Sequence, residues 1–512
     1  MHPRLHAIAT PDKPALIDAE TGETITFGQL EARANRAAHA LRGLDLQAGD
    51  AVVLCCDNRP EFVDIYWAAQ RSGLILVPIS TRLKASEIAH IVNDSGSKAI
   101  IVSEALSEVA LDLVARRSEM PRLDTVVAIG AIGELSDWAT LCDREPEIPI
   151  ADESIGSRMA YSSGTTGRPK GIRYPALSGS PVQELQGTTF LSSSYGLNDT
   201  TVYLCPAPLY HASPLGFTVA VQAMGGTSVV MRKFDAEAVL AAVCRWRVTA
   251  VQMVPTMFIR MLKLPTDVRT RYDLSSLKVV VHAAAPCPVP VKRAIIDWLG
   301  PIVEEFYAGS EGNGHVTITS TEWMRKPGSV GRAVVGKIHI CDDDGRELAT
   351  GETGTIYFSG GRSFEYHNDP DKTAASRNPL HPGWSTMGDV GHIDQDGYLF
   401  LSDRKDFMII AGGVNIYPQE VENLLITHPA VADVAVIGVP DADFGEAVKA
   451  VVQPIAWSQA TEGLGRELIA FCRSNLSDVK CPRSVDFDPA LPRSDTGKLF
   501  KKEVRARYWP TA

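Results

Sequence analysis

The sequence predicts an α/β protein built from more than one domain. Helical and strand patterns alternate between residues 25 and 105, the order that produces βαβ units and a largely parallel sheet. From about Gly328 the texture changes to short strands and turns, which predicts a small β-rich subdomain. A chain of 512 residues also exceeds what one ordinary core accommodates.

The elements follow in order. Phe27 to Leu44 carries apolar residues at helical spacing and predicts an amphipathic helix. Ala51 to Cys56 is a short apolar strand, Phe62 to Ser72 a helix, and Leu74 to Ile79 a strand. Ala85 to Ser95 and Ala99 to Val102 repeat the helix–strand order. Further on, Val202 to Leu204, Thr227 to Met231, Ala250 to Val254 and Val279 to Ala283 read as strands. Ala236 to Trp246 and Val289 to Leu299 read as helices. The β-rich part comprises Lys337 to Cys341, a turn at Asp343-Asp344-Gly345, and Gly354 to Ser359. In the last ~100 residues, Pro418 to Leu425 and Leu464 to Asn475 are helical, and Val434 to Val439 and Val448 to Gln453 are strands. They predict a compact α+β unit at the small end of domain size.

A formal charge of -11 argues against a general nucleic-acid binder. No run of ~18 apolar residues predicts a membrane-spanning helix, and Pro11 to Pro14 interrupt any signal-like start. Nine cysteines without a Cys-x-x-Cys motif predict reduced, mostly buried thiols and a cytoplasmic setting.

The most informative segment is Tyr161-Ser162-Ser163-Gly164-Thr165-Thr166-Gly167-Arg168-Pro169-Lys170-Gly171. Glycines allow tight turns that present backbone N–H groups, while hydroxyls and cations add donors for phosphate oxygens. The spacing is not that of the P-loop: Gly164 and Gly167 are too close, and Pro169 precedes Lys170. A loop rich in Ser, Thr and Gly also suits a linker, but linkers rarely fix charge and a rigid proline together.

This string closely resembles the phosphate loop of the acyl-adenylate-forming superfamily, which comprises acyl-CoA synthetases, peptide-synthetase adenylation domains and luciferases. Five later segments match that superfamily in order. His282-Ala283-Ala284-Ala285-Pro286 resembles its adenine-facing strand end, although many relatives carry glycine where Ala283 and Ala284 stand. Glu305-Phe306-Tyr307-Ala308-Gly309-Ser310-Glu311-Gly312 resembles Tyr-Gly-x-Thr-Glu. There the resemblance gives Tyr307 an adenine-stacking face, Ser310 the usual threonine's place, and Glu311 a carboxylate for Mg2+. Gly383 to Asp389 resembles the segment whose aspartate binds both ribose hydroxyls, with Met387 in place of threonine. Asp403 to Pro418 is the longest match. It implies that Arg404 reaches ribose or phosphate, Asp406 is a hinge, and Gly412-Gly413 line the path of a pantetheine arm. Pro492-Arg493-Ser494-Asp495-Thr496-Gly497-Lys498 places Lys498 where the family has its catalytic lysine. His211, in Pro208 to Pro214, falls at the position of an aromatic gate between the acid and thiol sites.

The resemblance covers roughly residues 10 to 505. It implies an AMP-binding N-terminal domain over residues 1–405 and a mobile C-terminal domain over residues 406–512 that carries Lys498. The nucleotide would be held by Ser162, Ser163, Gly164, Thr165, Thr166, Gly167, Lys170, Ala285, Pro286, Tyr307, Ser310, Asp389 and Arg404. Lys498, His211 and Glu311 would act in catalysis. The implied activity is an AMP-forming acyl-CoA synthetase using ATP, Mg2+ and coenzyme A on a fatty or aryl-alkanoic carboxylic acid. Ala212, Gly216 and Ala308 are small and suggest room for a long or bulky tail. Three other readings stand beside it: a standalone adenylation enzyme loading a carrier protein, a luciferase-like oxygenase, and a non-catalytic acid-binding relative. A homodimer is an open expectation. So is a lysine acetyltransferase acting on Lys498, because acetylation would remove the charge that the C-terminal domain brings to the phosphates.

Overall fold

A computed structural model of the chain describes residues 2–162, 169–175, 188–411, 414–441, 443–494 and 499–509. The chain forms two compact units. The first comprises Met1–Met253, Leu264–Val280 and Ser363–Ala374; the second comprises Val254–Lys263, Val281–Arg362 and Ala375–Ala512.

In the first unit, uninterrupted apolar runs become strands buried on both faces. Ala51–Cys55 and Ala99–Ser103 are buried at every position, as strands of a parallel sheet covered on two sides require. They lie at the centre of a six-stranded parallel sheet. Its order is Ser136–Asp137, Thr125–Ile129, Ala99–Ser103, Ala51–Cys55, Ile75–Pro78, Ser157–Arg158. A second run of neighbouring strands is Ala250–Met253, Val202–Cys205, Thr227–Val230, Pro14–Asp18 and Thr24–Thr26, parallel except for the last pair. The helices between strands are started by local chemistry. Thr26 and Gln29 form a reciprocal capping box at the helix Phe27–Gly43, and Asp235 accepts N–H groups of Glu237 and Ala238 at Ala236–Trp246.

A buried asparagine joins the strand ends of this unit. The Asn58 carboxamide donates to the Ala207 and Met231 carbonyls at 2.9 and 2.8 Å, and its oxygen accepts the Leu209 N–H at 2.7 Å. All three partners leave strand ends or the loop that follows one, so one satisfied polar side chain sets the course of residues 207–211.

The second unit contains the predicted β-rich part. Antiparallel strands run in the order Lys337–Cys341, Gly354–Ser359, Ser385–Ile393, Leu399–Arg404, Ser329–Val335, His315–Ile318, Val303–Ala308. The C-terminal residues form a separate sheet. Val431–Asp441 pairs antiparallel with Gly445–Pro454, which also pairs with Ile409–Ala411 and, in parallel, with Ser484–Phe487. The helices Pro418–Leu425 and Glu462–Asn475 cover this sheet through a core that includes Val421, Leu425, Val434, Val436, Val452 and Leu468.

The main departures from the sequence reading are at boundaries and in short strands. The two C-terminal strands are longer than the runs Val434–Val439 and Val448–Gln453, because alternating polar residues at their ends still complete the antiparallel ladder. The strand Ser484–Phe487 and the three-stranded sheet of Ala160–Ser162, Lys170–Arg173 and Glu365–Tyr366 carry too little apolar pattern to be read in advance.

Two features of the second unit bear on stability. Ala284 has φ +75°, a conformation that costs a residue with a Cβ about 1–2 kcal/mol relative to glycine. Ala284→Gly should therefore raise unfolding stability by about 1 kcal/mol, read as a higher melting transition of the full chain. The second feature is a buried charged cluster. Lys292 bonds Glu305, lies 5.0 Å from the Trp323 ring centre, and has His282 close by on the same carboxylate. His282 is fully buried, neither ring nitrogen has a hydrogen-bond partner, and Phe258 packs edge-on at 5.3 Å. Burial, aided by Lys292, holds the imidazole well below its ordinary pKa of 6.5. The unfolded chain takes up this proton at about pH 6.5 and the folded chain does not. Stability from His282 is therefore complete above that pH and falls as pH drops below it, by about 1.4 kcal/mol per unit. The stability difference between wild type and His282→Gln, measured by urea unfolding at pH 7.5 and 5.5, should shrink accordingly.

Candidate nucleotide site

The clearest constellation lies in the second unit. The strands Ser385–Ile393 and Leu399–Arg404 pair antiparallel with Asp389 opposite Arg404. One carboxylate oxygen of Asp389 lies 3.2 Å from Arg404 Nε, and the other accepts the Tyr307 hydroxyl at 2.6 Å. Tyr307 reaches it from the strand Val303–Ala308. Burial, with the Asp389 carboxylate beside it, pushes the Tyr307 hydroxyl well above its ordinary pKa, so it stays a donor. Desolvation opposes the Arg404 charge, but Asp389 first and then Glu311, Tyr307 and Asp406 outweigh it and hold the guanidinium above its usual value. A carboxylate fixed on both sides by donors is rigidly aimed, and its remaining lone pairs suit vicinal hydroxyls.

The turn after Tyr307 is shaped by sterics. A Cβ on Gly309 would lie 1.9 Å from Met387 Sδ and 2.6 Å from Glu311 Oε2. With Met387 and Glu311 in these positions only glycine fits at 309, and a side chain there would require both to move aside. The Asn313 side chain donates to the Ser385 carbonyl at 3.1 Å and to its hydroxyl at 3.2 Å. That contact ties this turn to the strand carrying Asp389. Ala285 and Pro286 follow the left-handed Ala284 at the end of Val279–His282. Asp406 lies in the single turn Lys405–Phe407, with Lys502 Nζ 3.8 Å from its carboxylate.

Two further candidates belong to the first unit. Lys170 opens the strand Lys170–Arg173, which pairs with Ala160–Ser162 so that Lys170 stands opposite Ser162. The Lys170 ammonium bonds the Asp369 carboxylate. His211 precedes the helix Ala212–Ala223, its N–H bonded to the Pro208 carbonyl at 3.2 Å and its ring 4.5 Å from that of Tyr210. A Cβ built on Gly216 in that helix would meet nothing within 4 Å, in keeping with the small residues noted there. Ser163, Gly164, Thr165, Thr166, Gly167, Gly412, Gly413 and Lys498 lie outside the described residues.

Sequence reasoning singled out Tyr307, Asp389 and Arg404 separately, and the structure brings them into one contact group with Glu311 within electrostatic reach. It did not single out Asp369 or Asn313. The Asn368-Asp369-Pro370 string is a helix-start signal, and that signal points to structure rather than to a partner for Lys170.

No group of three or more His, Cys, Asp or Glu among the described residues is arranged to hold a metal ion. A single carboxylate such as Glu311 nonetheless fits Mg2+, which takes one or two carboxylates and completes its shell with phosphate and water oxygens.

Residues 4–365 match the AMP-binding enzyme family, and residues 420–498 match the AMP-binding enzyme C-terminal domain. Over its length the chain is similar to a long-chain-fatty-acid–CoA ligase, FadD13, of Mycobacterium tuberculosis. The identity is 31%, covering 99% of this chain and 98% of that protein. It is 35% identical to a feruloyl-CoA synthase of an Amycolatopsis species, over 95% of this chain and 94% of the relative. Among solved structures it resembles the amide bond synthetase McbA of Marinactinospora thermotolerans, with a TM-score of 0.81 and 27% identity over 97% of both chains. With a match running through most of its length, the chain belongs to the AMP-binding, adenylate-forming enzymes.

Proposed function

We propose that this protein is an AMP-forming carboxylic acid–CoA ligase that activates a fatty or aryl-alkanoic acid as its acyl-adenylate. The observation that carries the nucleotide half of this reading is the doubly held Asp389 carboxylate, bonded to Tyr307 and paired with Arg404. Asp389 would accept hydrogen bonds from the ribose hydroxyls, and the Tyr307 ring offers an aromatic face to adenine. Lys170 and the Ser162–Gly167 segment would take the phosphates.

In the first half-reaction a carboxylate oxygen of the acid attacks the α-phosphorus of ATP. The bond from that phosphorus to the bridging oxygen breaks, and pyrophosphate leaves with the electron pair. Lys498 would stabilise the charge that builds on the α-phosphate. Glu311, together with phosphate oxygens, would hold Mg2+, which would supply charge neutralisation there. The product is a mixed anhydride, which has AMP as a good leaving group where the free acid had none.

In the second half-reaction the CoA sulfur attacks the acyl carbon, the bond to the AMP oxygen breaks, and the thiol proton passes to solvent or a nearby base. The 406–512 segment would turn about Asp406 between the two steps, withdrawing Lys498 and presenting Gly412-Gly413 to the pantetheine arm. His211 would gate the passage between acid and thiol.

An amine or carrier-protein acceptor in place of CoA is the second reading, favoured by the likeness to an amide bond synthetase. A panel of acids assayed for pyrophosphate release, each with CoA, an amine or no acceptor, tests both. Release with hydroxamate trapping but no CoA thioester for any acid would reject the ligase reading. No release with any acid would reject adenylation altogether.

Lys498→Ala should reduce adenylation by about 100-fold or more, the size expected for loss of a charge aimed at the transition state. Thioester formation from a supplied acyl-adenylate should be largely spared. An equal fall in both half-reactions would contradict the two-pose scheme.

Asp389→Ala removes the acceptor for ribose and leaves Tyr307 and Arg404 without their shared partner. Isothermal titration should show ATP affinity reduced by about ten-fold or more, with acid affinity little changed. Unchanged ATP affinity would remove Asp389 from the nucleotide site.

A further inference from the structure

In the first unit, the two strands that flank residues 163–168 are held by two carboxylates that belong to neither strand. Asp94, near the end of the helix Ala85–Ser95, accepts the Tyr161 hydroxyl at 2.6 Å. Its backbone carbonyl contacts His367 Nε2 at 2.9 Å and accepts Asn368 Nδ2 at 3.0 Å. The His367 N–H in turn donates to the Gly171 carbonyl at 2.8 Å. Residues 367–369 are thus fastened both to the helix and to the strand that begins at Lys170. At the end of this fastened segment stands Asp369, bonded to the Lys170 ammonium.

The two oxygens of Asp369 have different work. Oδ1 accepts the Lys372 N–H at 2.9 Å and caps the helix Pro370–Ala375, while Oδ2 takes Lys170. The backbone carbonyl of Asp369 accepts the Thr373 N–H at 3.1 Å and its hydroxyl at 2.9 Å. The carboxylate is therefore held by its own helix, and it is the lysine that is positioned by it. Lys170 would otherwise be a four-carbon stem with many rotamers. Side-chain exposures of 19% for Lys170 and 26% for Asp369 leave the pair open to a ligand. The hydrogen bond from the Lys170 ammonium holds the Asp369 carboxyl below its usual pKa, so the carboxylate stays charged at neutral pH.

We infer that Asp369 is a positioning residue for Lys170: it fixes one of the ammonium's three N–H groups and aims the other two at the phosphate oxygens of a bound nucleotide. This rests on the reading of Lys170 as a phosphate ligand. Its consequence is specific to charge. Asparagine caps a helix as well as aspartate does, through the same Oδ1, but it would turn an N–H donor toward the ammonium.

The test compares Asp369→Asn, Asp369→Glu, Lys170→Ala and the double variant Asp369→Asn/Lys170→Ala in the full chain, by steady-state pyrophosphate release and thermal melting. Asp369→Asn should raise the KM for ATP about ten-fold, with kcat, the KM for the acid and the melting transition unchanged. Asp369→Glu should recover part of that loss. In the Lys170→Ala background, Asp369→Asn should add nothing, because the partner it acts through is gone. An unchanged KM for ATP in Asp369→Asn, with a raised one in Lys170→Ala, would overturn the inference and leave the phosphate role of Lys170 standing. A full additional loss in the double variant, or a lowered melting transition with kcat and both KM values affected together, would make Asp369 a purely structural cap. No effect of Lys170→Ala on the KM for ATP would overturn the underlying reading as well.

Discussion

The second unit is organised around one register. Antiparallel pairing of Ser385–Ile393 with Leu399–Arg404 sets Asp389 directly across from Arg404, and a slip of one residue would turn both side chains to the opposite face of the sheet. The pairing has a shift between Val390 and Gly391, immediately beyond Asp389, where Gly391 lies too close to the Phe400 carbonyl to carry a side chain. The charged pair thus sits at an irregularity of the ladder, the kind of place where a strand re-aims a side chain. Tyr307 can reach Asp389 only if that register holds. Glu311 and the Gly309 turn then follow from the path of the chain after Tyr307.

The first unit meets a related problem by different means. Residues 207–211 lie in a loop beyond the parallel strand Val202–Cys205, where no ladder fixes them, and residues 367–369 lie beyond the end of the short antiparallel ladder of Ala160–Ser162, Lys170–Arg173 and Glu365–Tyr366. Buried or half-buried polar side chains from elsewhere in the unit take over that task. Asn58 satisfies three backbone groups around residues 207–231. Asp94 holds the Tyr161 hydroxyl with its carboxylate and the His367 and Asn368 side chains with its backbone carbonyl. In both cases one short side chain reaches across more than 65 residues of sequence. Each such contact is worth more as a constraint on geometry than as a contribution to stability.

Much of the architecture was legible in the sequence because burial on both faces writes itself as unbroken apolar runs. Ala51–Cys55, Ala99–Ser103 and Val279–His282 were readable for that reason, and Ala236–Trp246 and Val289–Leu299 were readable as helices. Short strands such as Ser157–Arg158 and Glu365–Tyr366 have two residues each and carry no period to detect. The candidate site residues were singled out through motif resemblance, one by one. What the motifs could not convey is which of them touch. The Tyr307–Asp389 bond spans 82 positions and the Lys170–Asp369 bond 199, and no local pattern encodes a contact at such separation.

The close approach of Gly309 and Met387 has a consequence for how this sequence can change. The thioether occupies the space where a side chain at 309 would sit, so the two positions share one volume. A larger residue at 309 requires the Met387 thioether to move aside, a demand that falls away once 387 has shrunk, for example to the threonine that the resemblance leads one to expect there. A larger residue at 387 is admissible only while 309 stays bare. Substitutions at these positions are therefore order-dependent: the same pair of changes passes through a viable intermediate by one route and a clash by the other. Libraries that vary one position at a time would record 309 as restricted while Met387 stands, whereas joint randomisation of 309 and 387 would expose the combinations that remain open.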